Sequence, residues 1–182
     1  GFFPIGAGQI NATIHPWTKQ TKYTALDKGQ LIDINGFAAA LNIPSDIADR
    51  ELEVLHNKLE LNNRKALNFK GISQGNTAFV VLNYEHHQQV FSALGEMKKS
   101  AEKVAHDLAK EVKAYLATDV IADEYLADQI LLPMALGKGG EFTAQIISEH
   151  TRTQANMIQK FIDCEITFTE LKENNWQIKV SV

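Results

Sequence analysis

A mixed α/β fold is predicted for this chain by three observations. Apolar residues recur with a period of two between polar turns, several longer segments carry them at helical spacing, and the chain closes on an alternating pair of strands. With 182 residues, 45% hydrophobic and 22% charged, the sequence can bury a full core as one domain or two small ones, and its composition is not that of a disordered tail.

The elements follow in order. Residues 2–17 read as a strand: after a glycine turn, Ile10, Ala12 and Ile14 alternate with Gln9, Asn11, Thr13 and His15. Residues 31–41 form an apolar strand, and after Pro44, Ser45 is placed to cap a helix that buries Ile47, Leu52, Leu55 and Leu59. Strands follow at 65–71, 77–84 and 89–94, separated by turns such as Ser73-Gln74-Gly75-Asn76. Ser100 then opens a helix to about Thr118, with Val104, Leu108, Val112 and Tyr115 or Leu116 on its apolar stripe. A helix over 121–132 is expected to stop at Pro133, because proline lacks the amide hydrogen that a helix interior needs. Gly137-Lys138-Gly139-Gly140 reads as a helix stop and turn, since it has neither the spacing nor the Ser/Thr of a phosphate-binding loop. An apolar strand at 141–147, a helix to about Ile162 and a hairpin of 164–171 with 176–182 complete the chain.

Composition narrows the function. A net charge of −4 argues against a general basic surface for nucleic acid and against a membrane-surface role, although a protein that reads an RNA end needs only a local patch. The single cysteine, Cys164, allows no internal disulfide, which suits a reducing compartment, and its apolar setting reads as an inert buried thiol rather than a nucleophile. No apolar run reaches the roughly 18 residues that span a bilayer, and no signal peptide is visible, so a cytoplasmic location without membrane contact is expected. His86 and His87 are adjacent and would point to opposite faces of a strand, and no His, Cys and carboxylate cluster has zinc-site spacing. No metal ligand is therefore named.

The chemistry concentrates near the end. Tyr125, Asp128 and Gln129 stand at i, i+3 and i+4 of the helix over 121–132 and share one face, with Leu126, Ile130 and Leu131 turned away. Such a trio is commonly just a solvated face; its neighbourhood gives it a second reading. His150 directly precedes the next helical pattern, whose stripe is Ala155, Ile158, Phe161 and Ile162 and whose cap is Thr151 or Thr153. Free amides and the positive dipole end at a helix start favour a phosphate. A neutral imidazole there is placed to attack phosphorus and to carry a covalent nucleotidyl intermediate.

Several strings carry a family resemblance: Glu124-Tyr125-Leu126-Ala127-Asp128-Gln129, Leu132-Pro133-Met134-Ala135-Leu136, Gly140-Glu141-Phe142-Thr143, Ser148-Glu149-His150-Thr151-Arg152-Thr153, Ser100-Ala101-Glu102-Lys103-Val104-Ala105, and the opening Gly1-Phe2-Phe3-Pro4-Ile5-Gly6-Ala7-Gly8. Together they resemble the RNA 3'-terminal phosphate cyclases. The resemblance implies an ATP-dependent ligase of RNA processing that turns an RNA 3'-phosphate end into a 2',3'-cyclic phosphate through a histidine-AMP intermediate. It places His150 as the nucleophile, Tyr125 near the adenine, and Asp128 and Gln129 as hydrogen-bonding partners of the nucleoside. ATP is the expected cosubstrate, with Mg2+ or Mn2+ to neutralise its phosphates.

The same resemblance implies an architecture. Residues 1–25 and 120–182 would be portions of a catalytic domain built from repeated two-helix, four-strand units, and 26–119 an inserted small domain of thioredoxin-like topology. The family aromatic that packs on adenine falls at Ser92, with Phe91 one place away. The glycine motif reads Gly6-Ala7-Gly8 where the family has three glycines, and the basic residue that precedes it in the family is absent. The chain is accordingly expected to be the C-terminal half of a cyclase, inactive alone, with the N-terminal half of the same protein as a partner. The alternatives are a non-catalytic cyclase-like scaffold for RNA binding or ribosome assembly, and a stable half that pairs with a separate chain. Lys98, Lys99, Lys103, Lys138 and Arg152 are the candidate basic groups, each either a solvated charge or an RNA contact.

Overall fold

A computed structural model describes residues 1–17 and 20–182. Its elements are β1 (Tyr23–Ala25), β2 (Leu31–Leu41), α1 (Asp46–Leu59), β3 (Asn63–Phe69), β4 (Gly75–Tyr84), β5 (Gln88–Leu94), α2 (Ala101–Leu116), α3 (Glu124–Leu136), β6 (Gly140–Ala144), α4 (Glu149–Phe161), β7 (Glu165–Lys172) and β8 (Asn175–Ser181). The fold is mixed α/β, with two four-stranded sheets ordered β3-β2-β4-β5 and β1-β6-β8-β7. The chain divides into two compact units, one of Gly1–Thr13 with Gln30–Ala114, the other of Ile14–Gly29 with Tyr115–Val182.

In the first unit β2 runs parallel to β3 and antiparallel to β4, which pairs antiparallel with β5. Strict alternation along β2 and β4 sends Ile34, Ala38 and Ala40 to the same buried side as Val80, Ala78 and Leu82, and the ladder sets Ile34 opposite Leu82 and Ala38 opposite Ala78. Small residues on β2 let α1 lie close, burying Ala48, Leu52, Leu55 and Leu59 against β2, β3 and β4. Ile47 is only half-buried, because Ala48 and Glu51 take the inward positions of the first turns. Ser45 precedes the helix without any side-chain capping bond. α2 buries Val104, Leu108, Val112 and Tyr115, and Ser100 Oγ accepts from the Lys103 amide at 3.2 Å, as its position predicts.

The second unit sets α3 against α4, β6 and β8, and α4 against β7. Its core joins Phe142 and Ala144 of β6, Ile178 and Val180 of β8, Ile166 of β7, Leu131 and Met134 of α3, and Ala155 and Ile158 of α4. The predicted hairpin is present, closing where Lys172 pairs with Asn175 across a turn that holds Asn174 at φ 55°.

Four further expectations are corrected. Residues 2–17 form no strand beyond an isolated bridge between Phe2 and Gly6; Ile10 and Ile14 are 92% and 90% exposed, and alternation without a sheet to lie on has nothing to order it. Pro133 does not end its helix, which continues to Leu136 with the proline exposed and one amide hydrogen fewer. Phe161 is 82% exposed, since the buried stripe of α4 is Thr151, Ala155 and Ile158 with Ile162 partly covered. His86 and His87 lie in the loop between β4 and β5 rather than on a strand.

Strand β1 was not legible in the pattern. It pairs parallel with β6, and the approach is close: a Cβ on Gly140, at φ 134°, would stand 1.7 Å from the Tyr23 carbonyl oxygen. Only glycine permits that contact.

Candidate active site

Strand β6 positions the site. Beyond the stretch that pairs with β1, Ala122 takes up the same edge: it bridges Ala144 in parallel, its amide donates to Thr143 O at 2.9 Å, and its carbonyl accepts from Gln145 N at 3.0 Å. The chain therefore turns into α3 from beside the C-terminal end of β6, and four residues past that end Ser148 opens α4. Two helix starts thus leave one end of one strand. Their unpaired amides and positive dipole ends are directed to the same region of the unit.

Each start is held by a side chain. Asp123, buried and extended, accepts from the Leu126 amide at 2.7 Å. Ser148 Oγ accepts from the Thr151 amide at 3.2 Å and lies 3.1 Å from the Thr151 hydroxyl. The cap of α4 is therefore Ser148 and not Thr151 or Thr153: Thr151 is fully buried inside the first turn. His150 consequently is the second residue of α4 rather than the residue before it. Its side chain is exposed.

On α3 the polarity runs lengthwise. Glu124, Tyr125, Asp128 and Gln129 occupy the half nearest β6's end, and Ile130 through Leu136 are apolar throughout. Ala127, Leu131, Met134 and Ala135 fill the core. Tyr125, 63% exposed, and exposed Gln129 share the outer face, with Asp128 half-buried at its edge. The structure thus puts Tyr125, Asp128 and Gln129 in the first turns of α3 and His150 in the first turn of the helix packed against it.

Arg152 lies on the exposed side of α4 with its guanidinium 5.8 Å from the ring centres of both Phe168 and Trp176. That contact with β7 and β8 is one the sequence pattern did not reveal. Lys99 and Lys103 are ion-paired with Asp107 at 3.1 and 2.7 Å. Lys98 and Lys138 are exposed, and Lys138 sits in the turn where the Gly137 and Gly139 amides both donate to Met134 O. Phe91 is buried at 6% on β5 and presents no open ring face, while Ser92 beside it is exposed. Burial, then the nearby Asp163 carboxylate, pushes the Cys164 thiol up, away from reactivity. Among the described residues no group of three His, Cys, Asp or Glu is arranged to hold a metal, and no helix is long and apolar enough to cross a membrane.

A family model described as RNA 3'-terminal phosphate cyclase matches residues 1–168. The chain belongs to the RNA 3'-terminal phosphate cyclase family. It is also 38% identical over 184 residues to the RNA 3'-terminal phosphate cyclase of Koribacter versatilis (strain Ellin345), an alignment that takes in 100% of this chain and 52% of that relative. The chain spans about half the length of the curated cyclase it matches.

Proposed function

We propose that this chain is the C-terminal part of an ATP-dependent ligase that converts an RNA 3'-phosphate to a 2',3'-cyclic phosphate. The observation that carries the reading is the pair of helix starts at one end of β6, one bearing Tyr125, Asp128 and Gln129 and the other bearing an exposed His150. Family membership supplies the reaction class.

In this reading a ring nitrogen of His150 attacks the α phosphorus of ATP; the N–P bond forms, the bond to the bridging oxygen breaks and pyrophosphate leaves. An oxygen of the RNA 3'-phosphate then takes the adenylyl group and frees the imidazole. The neighbouring 2'-hydroxyl attacks the 3' phosphorus, loses its proton and expels AMP. Tyr125 lies along the adenine while Asp128 and Gln129 bond the nucleoside. Mg2+ or Mn2+ would neutralise the charge of the triphosphate when bound.

Residues 1–25 and 120–182 are taken as portions of the catalytic domain and 26–119 as the inserted domain, although Gly1–Thr13 group with Gln30–Ala114 in the compact units. A partner of this chain is proposed as well. Exposure of Ile10, Ile14 and Trp17, at 92%, 90% and 54%, favours cover of this segment by the N-terminal half of the protein.

The test uses the full-length protein that carries this sequence, incubated with ATP labelled at the α phosphate. Acid-labile AMP should remain on it and vanish in His150→Ala, while the 182-residue stretch alone should stay unlabelled. Equal labelling of His150→Ala would remove His150 from the role. A protein that binds RNA but never labels would be the scaffold instead.

A further inference from the structure

We infer that the groove between the end of α1 and the outer face of α2 binds the phosphodiester backbone of an RNA strand. The inference rests on the RNA-end reading above for the nature of the polyanion; the charge arrangement stands on its own. A cleft of about 230 Å³ is lined by Lys58, His106, Ala109, Lys110 and Lys113. Ala109 is buried at its base, the lining is mostly the apolar parts of the surrounding side chains, and Lys58, His106, Lys110 and Lys113 are exposed.

Helical spacing explains the convergence. His106, Lys110 and Lys113 stand at i, i+4 and i+7 on α2, so they form one stripe about 10 Å long. Lys58, in the last turn of α1, adds a cation from a second element. These charges are available where those at the start of α2 are not. Lys99 and Lys103 are spent on Asp107, the acidic residue one turn before Lys110, whereas among the described residues the side chains of Lys58, Lys110 and Lys113 take part in no ion pair or hydrogen bond.

Three unneutralised lysines around one groove, on a chain of net charge −4, make a local positive field rather than a general one. A cleft of this size, open along its side chains, does not enclose a whole small-molecule ligand, which commonly takes about 300 Å³ or more. It suits successive phosphates of a strand passing over it. Contacts of that kind read no sequence, and they suit a protein whose chemistry addresses an end.

The experiment measures binding of the full-length protein to a single-stranded RNA with a 3'-phosphate, across a salt series, against a variant carrying Lys58→Gln, Lys110→Gln and Lys113→Gln. A second variant with Lys65→Gln, Lys70→Gln and Lys179→Gln makes the same change of charge at exposed lysines elsewhere. The groove variant should lose about tenfold or more in affinity at low salt and about 2 from the log–log salt slope, at roughly 0.7 per phosphate contact on single strands. The second variant should stay near wild type, and AMP labelling at His150 should persist in both. Unchanged affinity and slope in the groove variant, or equal losses in the two variants, would overturn the inference. So would a groove variant that binds RNA normally and loses binding only to phosphatidylserine vesicles. RNA binding that depends on the groove in a protein never labelled by ATP would sink the catalytic reading and leave the groove standing.

Discussion

The two units are built from the same kinds of parts and use their helix starts differently. In the first, α1 begins without a side-chain cap, its Ser45 hydroxyl unused, while Ser100 caps α2, and the two helices are tied by Arg50, which meets both carboxylate oxygens of Glu102 at 2.7 and 2.9 Å. In the second, Asp123 and Ser148 cap both helices and the starts leave one end of β6. Capping occupies some of the free amides and fixes the rest, so the second unit holds its helix starts rigid where the candidate chemistry is. The first unit offers helix sides and charges instead. The comparison teaches that the same helix-on-sheet layer can present either an end or a flank.

The largest expected effect tests whether the two units have separate cores. Phe142→Ala should destabilise by about 3–5 kcal/mol and strip hydrogen-exchange protection from β6, β8, α3 and α4. Equal loss across β2 and β4 would break the division.

Next is the buried acid of the first unit. Glu51 is fully buried; one carboxylate oxygen accepts from the Asn76 amide and the other has no partner among the described residues. Burial pushes its pKa up to about 7, against the opposing Asn76 bond. The folded state thus holds its proton more tightly than the unfolded chain does. The associated stability is complete below the unfolded carboxyl value near 4.3, declines as pH rises, and is gone above about 7. Denaturant titrations should show a fall of roughly 1–3 kcal/mol over that range, much reduced in Glu51→Gln. A second-unit probe such as Trp176 should not follow it if each unit titrates by itself.

The caps give the sharpest version of the comparison. Ser148→Ala should cost about 1 kcal/mol and Ser45→Ala close to nothing. Similar thermal shifts for both would remove the distinction between the helix starts. Smallest is Glu102→Gln: its carboxyl is held at about 2, chiefly by the Arg50 hydrogen bond, but the pair is exposed, so melting temperature should move only slightly and less still in high salt.

Much of this was legible in the sequence. Alternation located β2, β4 and the closing hairpin because each has a buried face, and helical spacing located α1 and α2 for the same reason. It misread residues 2–17, where the pattern is present but nothing covers it, and missed β1, three residues whose only signal is the glycine they lie against. The site residues were visible as types and spacings. Their common origin at the end of β6 was not, because a bridge between Ala122 and Ala144 leaves no trace in either residue. Arg152's ring contacts and the groove of Lys58, Lys110 and Lys113 were hidden likewise, since each joins separate elements.

Hanging both helix starts from one five-residue strand has a mechanical consequence. A substitution that displaces β6 within its sheet therefore acts on the starts of α3 and α4 together.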